Sequence, residues 1–458
     1  MLFNETDRGL LWRIWSLAWP MVVYNMLEMT VGLVDLVMVR SFGPSATAAI
    51  GLSRQVTFLV EAAVLAISTG VITLVSQAVG ARRSDQIKNV VRQSTLLIVL
   101  LGLPTTLVGY FLSGPILVWL GASGATFAHG APYLRIYFTG LALSWGSFVG
   151  AAVFRGLGDA RTPLKVALGV SLLNIVLNYL FIFGAGPLPG FQVSGAAMAT
   201  VAVRGCAAIV YLGLLWHGAG HARLQFAAAA TVTGAHPWAL DWTLIARILR
   251  IGVPMALAGV LRSGSRLVFL AIISASNFGY SLHAAVGVGL LLRNASILPA
   301  LAFQVSTATL VGQAIGRGNY AEAELLGRRS VQLLALLMVL VVSTIILLAG
   351  PLASLFIASP EVARLGTTVL RWFAVAQFFS AVSIGTQGAL MGAGDTAPNM
   401  RYTLLGQWVV MLPTAYVLLN LADWDPGGPL LAWTLAPLVS LSLVQWRFRT
   451  GRWKQVKA

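Results

Sequence analysis

Trp12-Arg-Ile-Trp-Ser-Leu-Ala-Trp-Pro20-Met-Val-Val-Tyr-Asn-Met-Leu-Glu28-Met-Thr-Val-Gly-Leu-Val-Asp35-Leu-Val-Met-Val39 is the core of the first long apolar run in the chain. It exceeds the ~20 apolar residues that cross a bilayer, yet it carries two carboxylates and a proline. On the insertion scale a mid-span carboxylate costs roughly 2.5–3.5 kcal/mol, so Glu28 and Asp35 point to ion or proton coupling rather than to plain anchorage. Pro20 removes one backbone hydrogen bond and supplies a joint in the same helix.

The rest of the chain agrees with this reading. Its 458 residues are 58% hydrophobic and 10% charged, where soluble domains carry ~25% charge. We therefore expect an all-α polytopic membrane protein. The formal net charge of +16 would point to a polyanion in a soluble domain, but topology has first claim on basic residues here. One cysteine, Cys206, excludes an intramolecular disulfide. The first run is too long for a signal peptide and lacks a small-residue cleavage site, so no cleaved leader is expected.

A window of about 19 residues gives twelve spans, near 12–39, 46–78, 89–113, 131–155, 163–184, 193–216, 243–274, 280–313, 328–349, 362–391, 400–420 and 429–447. An even number puts both termini on one side. With the N-terminus cytoplasmic, Arg8, Arg13, Arg82, Arg83, the basic tail over 447–457 and most other loop cations fall inside, leaving Arg40 and Arg364 outside. The positive-inside rule thus sets both termini in the cytoplasm of a multi-pass protein of the inner (plasma) membrane and absorbs most of the net charge. Nucleic acid is not needed as a partner; the lipid bilayer is.

The spans form two like halves. Phe42-Gly43 recurs as Phe278-Gly279, Gln77-Ala-x-Gly80 as Gln313-Ala-x-Gly316, Gly114-Pro115 as Gly350-Pro351, and Gly156-x-Gly-Asp159 as Gly392-x-Gly-Asp395, each pair 236 residues apart. Pro20-Met21 recurs as Pro254-Met255 at 234. Six spans per half give both halves one orientation, hence two six-helix lobes related by a pseudo-two-fold along the membrane normal. We place the N-terminal lobe at 1–216, a cytoplasmic inter-lobe linker at 217–241 and the C-terminal lobe with its basic tail at 242–458. The Gln-x-x-Gly motifs read as helix C-caps presenting arginine, and the Gly-x-Gly-Asp motifs as turns with an acidic N-cap.

Together these residues resemble the multidrug and toxic compound extrusion (MATE) family of cation antiporters. The likeness rests on Pro20 followed fifteen residues on by Asp35 in a Leu-Val-Asp setting, the Gln-x-x-Gly turns, the Arg-Gly-x-Gly-Asp turn and twelve spans in two halves. It covers essentially the whole chain and is nearest to the DNA-damage-inducible F-like branch. The resemblance implies two six-helix bundles that open alternately to either side, exporting amphipathic, often cationic compounds in exchange for H+ or Na+. It carries over to Asp35 as the first-helix carboxylate, Asn174 as the fifth-helix asparagine and Pro20 as the hinge. The chain departs at Asn178, where the branch has a second aspartate, and at Arg262, where the other branch has a coupling glutamate. A single carboxylate favours H+ over Na+.

Depth supports the same site independently. Measured from outer helix ends near Arg40 and Gly184, Asp35 and Asn178 lie about 7.5 and 9 Å below the surface at ~1.5 Å per residue, and Asn174 lies one turn deeper than Asn178 on one face. The alternative partner for Asp35 is Arg40 or Arg54. Glu28 and Glu61 also lie deep, whereas the C-terminal half embeds Arg262, Arg266 and Arg293. Either Glu28 or Glu61 replaces the missing carboxylate as a second titrating group, or both pair with those arginines. Tyr137, Trp145, Phe154 and Trp408, with Arg262 and Arg266, are candidates for a substrate cavity. His217-Gly-Ala-Gly-His221 has helical metal spacing but sits in a glycine-containing loop, so no metal and no cofactor beyond the coupling ion is expected. No nucleophile and base pair stands out, which argues against an enzyme. The leading function is an ion-coupled exporter, expected as a monomer with a small amphipathic substrate; the alternative is a flippase for a lipid-linked saccharide, its pyrophosphate held by the arginines.

Overall fold

The computed structural model describes residues 5–218, 239–274, 279–422 and 424–456. They are almost wholly helical: α1 Glu5–Val39, α2 Pro44–Gly80, α3 Ser84–Trp119, α4 Gly124–Thr139, α5 Leu141–Leu157, α6 Arg161–Phe183 and α7 Gln192–His217 make the first half. The second comprises α8 Trp242–Ile273, α9 Gly279–Ser296, α10 Leu298–Gly316, α11 Tyr320–Leu347, α12 Ala349–Phe356, α13 Pro360–Gly392, α14 Ala397–Leu404, α15 Leu412–Asn420 and α16 Gly427–Arg449. A two-residue hairpin, β1 Gly184–Ala185 with β2 Leu188–Pro189, joins α6 to α7. Among the described residues 11 helical spans are long and apolar enough to cross a membrane, and the bent pair α4–α5 makes a twelfth. The protein is a multi-pass helical membrane protein.

Three spans differ from the regular helices their hydropathy predicts. The span expected over 131–155 is two helices meeting at Gly140 with a 56° bend. A Cβ at Gly140 would run into the Val201 side chain of α7, so the bend and the close approach need the same residue; the equivalent position in the second half is Ala376, inside the continuous α13. The span over 280–313 is interrupted at Ile297, where Pro299 opens α10, because proline lacks the N–H that would continue the ladder. The span over 400–420 contains a π-helical segment, Leu405–Met411, between α14 and α15.

The chain forms two compact units, residues 1–22 with 254–458 and residues 23–253. The divisions fall inside α1, two residues past Pro20, and inside α8, directly before Pro254. The first half of α8 therefore packs with the N-terminal helices. Gly252 and Gly70 permit this, since a Cβ on either would strike the backbone of the other helix at Ala66 or Ile248. In the other unit the start of α1 does the same: Trp15 meets Phe303 of α10 with ring centroids 6.5 Å apart. Most of the 217–241 linker, including Phe226 to Gly234, and His221 and Phe278 lie outside the described residues. Where description resumes, Gln93 of α3 bonds the backbone at Ala239 and Asp241, and Asp241 caps α8 at the Leu244 N–H, 3.0 Å away.

The shared turns carry two corrections. After α2 and α10 the left-handed residue is not the motif glycine but the residue two positions on, Arg82 (φ 57°) and Gly318 (φ 78°). Gly80 and Gly316 are the last helical residues, and the Arg82 and Arg83 N–H groups close a Schellman pair onto Val79 and Ala78. The acidic turns also diverge. Asp159 caps α6 through the Arg161 and Thr162 N–H groups, each at 3.0 Å. Asp395 instead forms an ion pair with Arg447 of α16 at 2.8 Å.

Candidate functional site

Asp35 on α1 meets α6 inside the N-terminal unit. The Asn178 amide donates to the Asp35 carboxylate at 2.6 Å and to Asn174 Oδ1 at 2.9 Å. The helical i, i+4 spacing puts both asparagines on the face turned to α1. Asp35 is 7% exposed and both asparagines are fully buried. Two amide atoms at this cluster, Asn178 Oδ1 and Asn174 Nδ2, have no protein partner. A buried acceptor without a partner costs about 1–3 kcal/mol, and here it sits beside a carboxylate that likewise accepts. Such a set suits a proton on Asp35, donated to an amide oxygen, or a small cation held by carboxylate and carbonyl oxygens.

Neither arginine considered from the sequence holds Asp35. Arg54 donates to the Gly32 carbonyl at 2.6 Å, and among the described residues Asp35 takes part in no ion pair. The two glutamates have other partners. Glu28, two turns below Asp35, is held by Arg204 of α7 at 2.7 Å, and the Arg204 guanidinium lies 4.4 Å from the Phe148 ring centre. Glu61 of α2 accepts from the Tyr137 hydroxyl at 2.8 Å. The pairing expected with Arg262, Arg266 or Arg293 is thus corrected for Glu28: its cation comes from its own unit. Sequence reading overlooked Arg204, although an arginine in the middle of the 193–216 span was a signal as strong as the three in the second half. Arg204 is within Coulombic reach of Asp35 and Glu61 as well.

The proposed cavity residues do not form one group. Tyr137 serves Glu61. Trp145 and Phe154 are packed at 1% and 0% exposure, Phe154 against Tyr211 with centroids 5.8 Å apart. Trp408, in the π-helical segment, donates its indole N–H to the Leu261 carbonyl at 3.1 Å. Arg262 and Arg266 line a separate cavity within the C-terminal unit, together with Arg293. Among the described residues no group of His, Cys, Asp and Glu is arranged to hold a metal.

A helical multi-pass fold built twice, with acids, amides and arginines embedded in its spans, defines a membrane transporter. The chain belongs to the MatE family, whose sequence profile matches residues 20–180 and again 254–417, each match opening on one of the two repeated prolines. It is similar to the probable multidrug resistance protein NorM of Thermotoga maritima, 28% identical over 443 residues covering 96% of this chain and 92% of that protein. It is also similar to the FAD transporter of Shewanella oneidensis, 26% identical over 354 residues, 76% of this chain and 74% of that one. Among solved structures, an outward-facing multidrug resistance MATE family transporter of the MOP superfamily matches with a TM-score of 0.86 at 21% identity over 97% of both chains. A MOP superfamily transporter from Pyrococcus furiosus, reported with reverse polarity of its binding pocket, matches with a TM-score of 0.86 at 21% identity, over 98% of this chain and 97% of that one. Identity this low speaks for the fold alone.

Proposed function

We propose that this protein is a secondary active exporter of amphipathic small molecules that runs by alternating access on an inward gradient of H+ or Na+. The observation that carries the reading is the Asp35–Asn178–Asn174 cluster, a carboxylate inside a membrane span that is bonded by an amide and, among the described residues, joins no ion pair. Drug resistance and flavin transport among the relatives support export of small organic molecules. Asp35 loads and releases the coupling ion, Asn174 and Asn178 orient it, and Pro20 is the hinge. Glu28 with Arg204 and Glu61 with Tyr137 form the charged surround that sets its ion affinity. Two lobes, 1–216 and 242–458, joined by the 217–241 linker, lie in the inner membrane as a monomer with both termini cytoplasmic.

The test is efflux from proteoliposomes with a proton gradient and a sodium gradient imposed separately, using a fluorescent lipophilic cation and an anionic amphiphile as cargo. Export driven by one gradient is the expected result; equal rates with and without both gradients contradict it. The second reading, a lipid-linked saccharide flippase, is favoured by the arginine cavity alone. It would show headgroup translocation and no drug efflux.

A further inference from the structure

Arg262 and Arg266 of α8 and Arg293 of α9 line one small cavity in the C-terminal unit. Its other walls include Gln377 of α13, Gln407 of the π-helical segment and Trp433 of α16. Among the described residues no carboxylate lines it and none of the three arginines joins an ion pair. Among the described residues Arg266 bonds within its own helix, to the Arg262 carbonyl at 3.2 Å and the Ser263 hydroxyl at 2.8 Å. Three cations gathered in a membrane span without a counter-charge are costly unless something anionic joins them.

Two amides point the same way. Gln377 is 2% exposed and neither atom of its amide has a partner. Gln407 accepts the Ser265 hydroxyl at 2.6 Å through Oε1, which leaves its NH2 as a donor. The apolar lining includes Trp433, whose ring is fixed from behind by Phe373, with centroids 4.8 Å and planes 8° apart, and by Phe269 at 4.8 Å. Counting from the repeated prolines, Arg262 occupies the position that Glu28 holds in the first half, and Phe269 that of Asp35. The C-terminal unit therefore reverses the charge at one of these equivalent positions and removes it at the other.

We propose that this cavity binds the phosphate or pyrophosphate headgroup of an amphipathic molecule. Guanidinium forks match phosphate oxygens two bonds at a time, and three positive charges suit a multiply charged headgroup. Calling that molecule the cargo rests on the exporter reading; its binding does not.

The experiment measures binding to the purified full chain in neutral detergent, by calorimetry and thermal shift, with decyl phosphate, inorganic pyrophosphate and decyltrimethylammonium. Decyl phosphate is expected to bind and raise the midpoint, and decyltrimethylammonium to do neither. Weaker binding of pyrophosphate alone identifies a lipid-like source, and equal binding identifies a soluble phosphate compound. Arg262→Gln and Arg293→Gln should each weaken decyl phosphate at least tenfold while raising the ligand-free midpoint, because each removes one of three mutually repelling charges. Absence of binding by both phosphate probes, equal binding of the cationic amphiphile, or unchanged affinity in the folded variants overturns the proposal. Because no gradient is involved, a failure here leaves the exporter reading intact, and a failure of gradient-driven efflux leaves this site intact.

Discussion

Glu28 and Asp35 share a face of α1, yet the chain treats them differently. Arg204 forms an ion pair with Glu28, while among the described residues Asp35 forms none and is bonded by the Asn178 amide. Neutralising Glu28 strands a half-buried arginine. Glu28→Gln should lower stability by about 1–3 kcal/mol, read as a lower thermal midpoint, and adding Arg204→Met should recover part of the loss. An unchanged midpoint would show that the pair does not tie α1 to α7. At the basic turn after α2, Arg82 holds a left-handed conformation that costs an L-residue roughly 1–2 kcal/mol. Arg82→Gly should therefore raise the midpoint, whereas the same change at Arg83, outside that conformation, should not. The Asp35 cluster was legible in the sequence because helical spacing and depth are local arithmetic. The Glu28–Arg204 pair was not read, because depth alone does not say which of several embedded arginines meets a given acid 176 positions away.

Helices carry the next level of information. Span number and approximate limits follow from hydropathy, because the bilayer fixes the length of each element. Windowed hydropathy is blind to direction, however, so the 56° bend at Gly140 and the π-helical segment at Leu405–Met411 emerge only from packing. Gly140→Ala should destabilise by about 1–3 kcal/mol, since overpacking against Val201 forces α4 and α7 apart; a midpoint within 1 °C of the parent would contradict this. Pro20 was read as a hinge from the sequence, and the unit divisions fall two residues past it and directly before Pro254. Pro20→Ala should restore a backbone bond, stiffen α1 and slow turnover more than it weakens substrate binding. Equal turnover and affinity in variant and parent would make Pro20 a static kink.

The whole molecule is a duplicated scaffold whose halves have diverged in charge. Composition and repeat spacing revealed the duplication, and the twice-matching family profile agrees. They revealed the embedded acids of the first half and the embedded arginines of the second too, but not that each charge group is satisfied or left open within its own unit. Glu28 and Glu61 have protein partners, whereas Asp35 and the Arg262, Arg266 and Arg293 group face amides or a cavity. On this account the first is the ion site and the second the anion site of one transport cycle. The central claim is the role of Asp35. It is tested most directly by gradient-driven efflux from proteoliposomes containing Asp35→Asn, with counterflow exchange at zero gradient measured in the same vesicles. The account predicts that Asp35→Asn loses gradient-driven export at least a hundredfold while still exchanging cargo; gradient-driven export at the parent rate by the folded variant would contradict it.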